Sequence, residues 1–79
     1  MITMYGADWC GDCRRTKTQL TELGIEFEFL DTDAGHGEAA VAISGSQSIP
    51  VVVFPDGEFL VEPSNPEVEE KLRSLNLLD

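Results

Sequence analysis

What this sequence lacks narrows its function first. It has no apolar run near the ~20 residues needed to span a bilayer. Its first residues, Met1-Ile2-Thr3-Met4-Tyr5, show neither the basic stretch nor the cleavage site of a signal peptide. Positive charge is scarce: 5 Lys+Arg stand against 15 Asp+Glu, a formal net charge of -10. Phosphate backbones and anionic lipid heads repel such a surface, so nucleic-acid and membrane partners are set aside. A cytoplasmic location is expected. Histidine and tryptophan occur once each, and cysteine only twice, at Cys10 and Cys13. A small secreted scaffold needs several disulfides closing long loops. This pair would close a tiny loop, contributing roughly 2 kcal/mol in the chain-entropy model. A structural staple is therefore a weak explanation for it.

What is present suits one small globular domain over residues 1–79, acting as a monomer. The chain has 79 residues, 42% of them hydrophobic, which is too apolar for a disordered segment. A domain this short buries a modest share of its surface, so its site should be shallow.

Ile2 to Tyr5 reads as a strand ended by Gly6-Ala7-Asp8. Gly11 to Leu23 favours helix, with Cys13, Thr16, Leu20 and Leu23 on one face and Gly24 as its stop. Ile25-Glu26-Phe27-Glu28-Phe29 alternates apolar and acidic residues, as a strand with one wet face does. Asp31-Thr32-Asp33 supplies caps and turns, and Glu38 to Ile43 reads as a short helix before Gly45. Val51-Val52-Val53-Phe54 is a buried strand. Pro55-Asp56-Gly57 turns it into Glu58-Phe59-Leu60-Val61, a hairpin. Asn65 as N-cap and Pro66 at the next position open a last helix. Glu67–Lys71 and Glu69–Arg73 should pair along it. The order β-α-β-α-β-β-α implies an α/β fold: a four-stranded mixed sheet with helices on both faces.

The chemistry concentrates at Trp9-Cys10-Gly11-Asp12-Cys13, where the first strand hands over to the first helix. A cysteine at a helix N-terminus meets unpaired backbone N–H groups and the positive end of the helix dipole. Both favour the thiolate, which is the nucleophile. Arg14, Arg15 and Lys17 follow at once, three of only 5 basic residues, and should add to that effect. Asp8 and Asp12 flank Cys10 and oppose it. The two-residue spacer lets Cys13 reach Cys10 and resolve a mixed disulfide formed there. Gly11 is read as relaxing the tight turn of the bridged form. Downstream, Ser48-Ile49-Pro50 opens the buried strand, where a proline need not donate to the ladder. A cis bond there would turn the Ile49 backbone towards a bound substrate.

Taken in this order, these residues resemble the thioredoxin fold and, within it, the glutaredoxin-like branch, with the mycoredoxins nearest. Met1 to Tyr5, Trp9 to Arg15, Lys17-Thr18-Gln19-Leu20, Ser48-Ile49-Pro50, Phe54 to Gly57 and Pro63-Ser64 carry the resemblance. It implies a thiol-disulfide oxidoreductase that reduces mixed disulfides between proteins and a low-molecular-weight thiol, mycothiol above others. No bound cofactor or metal is implied; the small thiol is a co-substrate, kept reduced by a reductase system. The partners are disulfide-bearing or S-thiolated proteins. Cys10 would be the nucleophile, Cys13 the resolving or spectator thiol, Pro50 a cis-proline beside them. Trp9, Gly11, Asp12, Arg14, Ser48 and Ile49 would shape the substrate site.

Asp12 departs from the aromatic spacer residue of mycoredoxins. Ala7 and Asp8 stand where glutathione-using glutaredoxins carry a lysine, and would repel a glutathione carboxylate. Leu60 to Asn65 lacks the Trp-Ser-Gly-Phe-Arg-Pro stretch of NrdH-redoxins. Two alternatives remain open on sequence alone. One is a thioredoxin-reductase-coupled redoxin. The other is a metal or iron–sulfur module using the same cysteines, which would need a dimer because His36 is the only other good ligand.

Overall fold

A computed structural model describes residues 1–79. β1 (Ile2–Gly6) places Ile2 and Met4 on one face of the sheet and Tyr5 on the other, since successive strand side chains alternate. α1 (Gly11–Glu22) buries Cys13, Thr16, Gln19 and Leu20. Those positions fall three and four apart, which is the core-facing stripe of a helix. The second cysteine thus belongs to the same stripe as Leu20.

β1 is the hub of the sheet, whose order is β2-β1-β3-β4. It pairs parallel with β2 (Phe27–Asp31) and antiparallel with β3 (Val51–Val53), which pairs antiparallel with β4 (Phe59–Val61). Ile2, Met4 and Val52 meet α1 and α3 (Asn65–Ser74) in a cluster with Cys13, Leu20, Phe54, Val68 and Leu72. The opposite face is smaller: Tyr5 and Val51 cover Ala40 of α2 (Gly37–Ser44). Helices lie on both faces, as the element order requires. The topology is the one that the resemblance to the thioredoxin fold implies. Fully burying a side chain such as Leu20 or Leu72 contributes about 1.5–3 kcal/mol. No helix is long and apolar enough to cross a membrane.

Three local details differ from the sequence reading. β2 starts at Phe27, two residues later than the alternation suggests, because Ile25 is used to close α1. Its N–H donates to Leu20 O at 2.9 Å while Gly24, at φ +72°, donates to Thr21 O at 3.1 Å. That double closure needs a left-handed residue at the Gly24 position. The cap of α3 is Ser64, not Asn65. Ser64 accepts from Glu67 N at 3.3 Å, and Glu67 Oε1 accepts from Ser64 N at 2.8 Å. The reciprocal box places Pro66 one position further in. Lys71 does not pair with Glu67, whose carboxylate the cap already holds. It reaches across to Asp56 at 2.7 Å and to Glu58, fastening the hairpin turn to α3. Arg73 likewise turns to the Asp79 backbone oxygen, at 3.3 Å, rather than to Glu69.

Candidate functional site

Between β1 and α1 the chain makes one turn, in which Cys10 N donates to Ala7 O at 3.1 Å. Cys10 is the N-cap of α1, with extended backbone at φ -84° and ψ 119°. Its sulfur accepts the Cys13 N–H at 3.3 Å. A donor that would otherwise be an orphan of the helix start is thus aimed at Sγ.

Both cysteines are free thiols, in unlike surroundings. Cys10 is half-buried and Cys13 is buried. Burial pushes the Cys13 thiol up to about 12, and the hydrogen bond shared with Cys10 adds to the shift. Cys13 is therefore a protonated, core-packed thiol at neutral pH. Gly6 makes its place: a Cβ there would stand 2.8 Å from Cys13 Sγ. Gly11 has no such constraint, since a Cβ on it would meet nothing nearer than Arg14 at 3.8 Å. The role read for Gly11 concerns the bridged form, whereas both thiols here are free.

Downstream residues complete the surroundings of Cys10. The Ile49–Pro50 peptide bond is cis. The Ile49 carbonyl oxygen lies 4.0 Å from Cys10 Sγ. Pro50 is buried and Ile49 half-buried. Ser48 is half-buried too, its N–H donating to Ser46 Oγ at 3.0 Å.

The basic residues are engaged locally. Arg14 donates to Asp8 O at 2.8 Å, Arg15 pairs with Asp12 at 3.3 Å, and Lys17 pairs with Asp8 at 3.3 Å. The two acids flanking Cys10 hold Arg15 and Lys17, two of the three cations that the sequence reading aimed at the thiol. Two of the three cations are thus ion-paired, and Arg14 keeps an uncompensated charge beside the thiol turn.

Trp9 is 69% exposed, and its indole Nε1 donates to Asp33 Oδ2 at 2.6 Å. Asp33 sits in a 3-10 turn (Thr32–Ala34) whose N-cap, Asp31, accepts from Asp33 N at 2.8 Å. Thr32 Oγ1 ties the turn to β1 by donating to Gly6 O at 3.3 Å. Gly6, Thr32 and Asp33 thus support the site, and the sequence reading placed none of them there. Their signal was available only as Asp31-Thr32-Asp33, a capping string. No third His, Cys, Asp or Glu joins Cys10 and Cys13 in a metal-ligand group, and His36 begins α2.

The comparisons with known proteins follow the same geometry. Residues 2–60 match the family model described as Glutaredoxin. A Mycobacterium tuberculosis protein provisionally named a glutaredoxin is 40% identical over 76 residues, covering 90% of this chain and 88% of its own. Mycoredoxin 1 of Corynebacterium glutamicum is 31% identical over 77 residues, covering 94% and 95%. The crystal structure of a glutaredoxin from Archaeoglobus fulgidus superposes with a TM-score of 0.81 at 32% identity, over 91% of this chain and 85% of that one.

Proposed function

The chain belongs to the glutaredoxin family, and on that premise we propose that it reduces mixed disulfides between proteins and a small thiol, with Cys10 as the only obligatory sulfur. The observation that carries this reading is the contrast between the two thiols. Cys10 lies at the helix start and accepts a backbone N–H, whereas the buried Cys13 thiol is held up at about 12. A buried, protonated sulfur is the less available of the two for attack at neutral pH.

In the proposed cycle the Cys10 thiolate attacks the small-thiol sulfur of a thiolated protein. The protein sulfur leaves with the electron pair and takes up a proton. Cys10 is left in a mixed disulfide with the small thiol. A second small-thiol molecule, as thiolate, attacks that disulfide, releasing the Cys10 thiolate and a symmetrical small-thiol disulfide. A reductase returns the latter to two thiols at the expense of NADPH. Pro50, Ile49, Ser48, Trp9, Gly11, Asp12 and Arg14 would frame the incoming disulfide in a single domain of residues 1–79, working as a cytoplasmic monomer without a bound cofactor.

Mycothiol is the small thiol we favour. The resemblance to a mycoredoxin supports it.

The test is NADPH-coupled reduction of a mixed disulfide in two arms, one with mycothiol and mycothione reductase, the other with thioredoxin reductase. Turnover in the first arm alone is expected. Turnover in the second alone would make the protein a dithiol redoxin and overturn the single-cysteine reading.

A further inference from the structure

A groove of about 750 Å³ opens beside the thiol turn, within the ~300–1,000 Å³ range of ligand clefts. Trp9 forms one wall and Ala40 and Val41 of α2 belong to the other. Ile49, which approaches Cys10 through its carbonyl, lines the groove as well. The apolar walls are uncovered, with Val41 38% exposed.

The charged residues lining this groove are Asp33 and Glu38, and no Lys or Arg is among them. Of the cations by the thiol, Lys17 and Arg15 are paired with Asp8 and Asp12, and Arg14, bound to the Asp8 backbone oxygen, does not line the groove. A ligand entering the groove therefore meets apolar walls and a negative rim, on a chain of net charge -10.

We infer, resting on the disulfide-reduction reading above, that this groove seats the protein half of the mixed disulfide and selects a cysteine flanked by an apolar residue and a Lys or Arg. The flanking apolar side chain lies against Trp9 and Val41, and the cation meets Asp33 and Glu38. An acidic flank would bring like charges together at a partly apolar wall, where they are screened less than in bulk water. As Cys10 bonds to the small-thiol sulfur, the protein sulfur leaves as a thiolate on the groove side and is protonated by water.

The experiment uses three short peptides that differ in one residue beside their cysteine: Lys, Ala or Glu. Each is S-thiolated with 2-mercaptoethanol, and kcat/KM is read for each. Serine analogues of the same peptides are titrated against the emission of Trp9, the single tryptophan of the chain. The expected order is Lys over Ala over Glu in both measurements, with about a tenfold span at low ionic strength that narrows in high salt. Glu38→Gln is expected to narrow the span. Glu70→Gln, exposed on the helix across the sheet, removes the same charge and leaves the span in place.

Equal turnover of all three peptides overturns the seat and leaves disulfide reduction standing. Absence of turnover, with the Lys analogue still the tightest ligand by Trp9 emission, overturns disulfide reduction and leaves the seat. Absence of both turnover and discrimination overturns the two together. A span that Glu70→Gln narrows as much as Glu38→Gln does assigns the selection to overall charge and overturns the seat.

Discussion

Gly6 and Cys13 fix each other's position: a Cβ on Gly6 would stand 2.8 Å from Cys13 Sγ and 3.2 Å from Cys13 Cβ. The same Cβ would come within 3.3 Å of Phe29 Cε1, so strand, helix and neighbouring strand are all in contact at this point. Gly6→Ala has no compliant side to push against. Overpacking of this kind costs about 1–3 kcal/mol. In a domain of this size a loss of 1 kcal/mol lowers Tm by about 4–8 °C. An unchanged Tm in calorimetry or thermal circular dichroism would show that the core yields here.

The two cysteines should separate cleanly by mutation. Cys10→Ser is expected to abolish mixed-disulfide reduction. Cys13→Ser should keep it when a small thiol is present, because the returning electrons come from that thiol. Turnover surviving in Cys10→Ser would remove the proposed nucleophile.

The burial of Cys13 has a pH signature. Burial raises its thiol above the ordinary value, so below that raised value its thiolate fraction grows about tenfold per pH unit. If Cys10 is pre-loaded with a small thiol and no free thiol is added, release of that small thiol reports attack by Cys13. The release rate should be slow at neutral pH and rise steeply with alkalinity. A rate already at its plateau at neutral pH would contradict the assignment of Cys13 as a protonated core thiol.

The Ser64–Glu67 box should appear in the acid limb of stability. Glu67 is held below its ordinary carboxyl value of 4.5, first by the Ser64 backbone N–H and then by the Ser64 side chain. A depressed folded value contributes stability above the unfolded value, and that contribution is lost as pH falls through the folded one. Glu67→Gln keeps an acceptor but cannot titrate, so its stability should fall less than that of the parent as pH drops below 4.5. Parallel acid limbs for the two proteins would refute this. Ser64→Ala removes the cap itself and should cost about 1 kcal/mol at neutral pH.

The sheet and its helices were legible because their signals are local and periodic. The stripe Cys13, Thr16, Leu20 and the run Val51 to Val53 each announce their own burial. The thiol turn was legible for the same reason, since Cys10 and Cys13 are separated by one helical turn. What escaped involves groups that compete for a partner. Glu67 has two suitors, Lys71 and the Ser64 N–H, and the Ser64-x-x-Glu67 spacing was the local signal for the second. Arg15 and Lys17 look free until the fold returns Asp12 and Asp8 to them. Gly6 carries no reactive group, and Thr32 and Asp33 lie far from the cysteines in sequence until the parallel pairing of β1 with β2 brings them to the site.

The sheet order β2-β1-β3-β4 leaves β2 and β4 with one unpaired side each. Open strand borders invite another chain to add to them. Exposed Glu26 and Glu28 stand along one border, and exposed Glu58 and Glu62 bracket the three residues of the other. Two copies meeting border to border would therefore press carboxylate against carboxylate. Part of the acid excess thus fences the sheet, discouraging strand addition while the thiol turn, at the end of β1, stays open to partners.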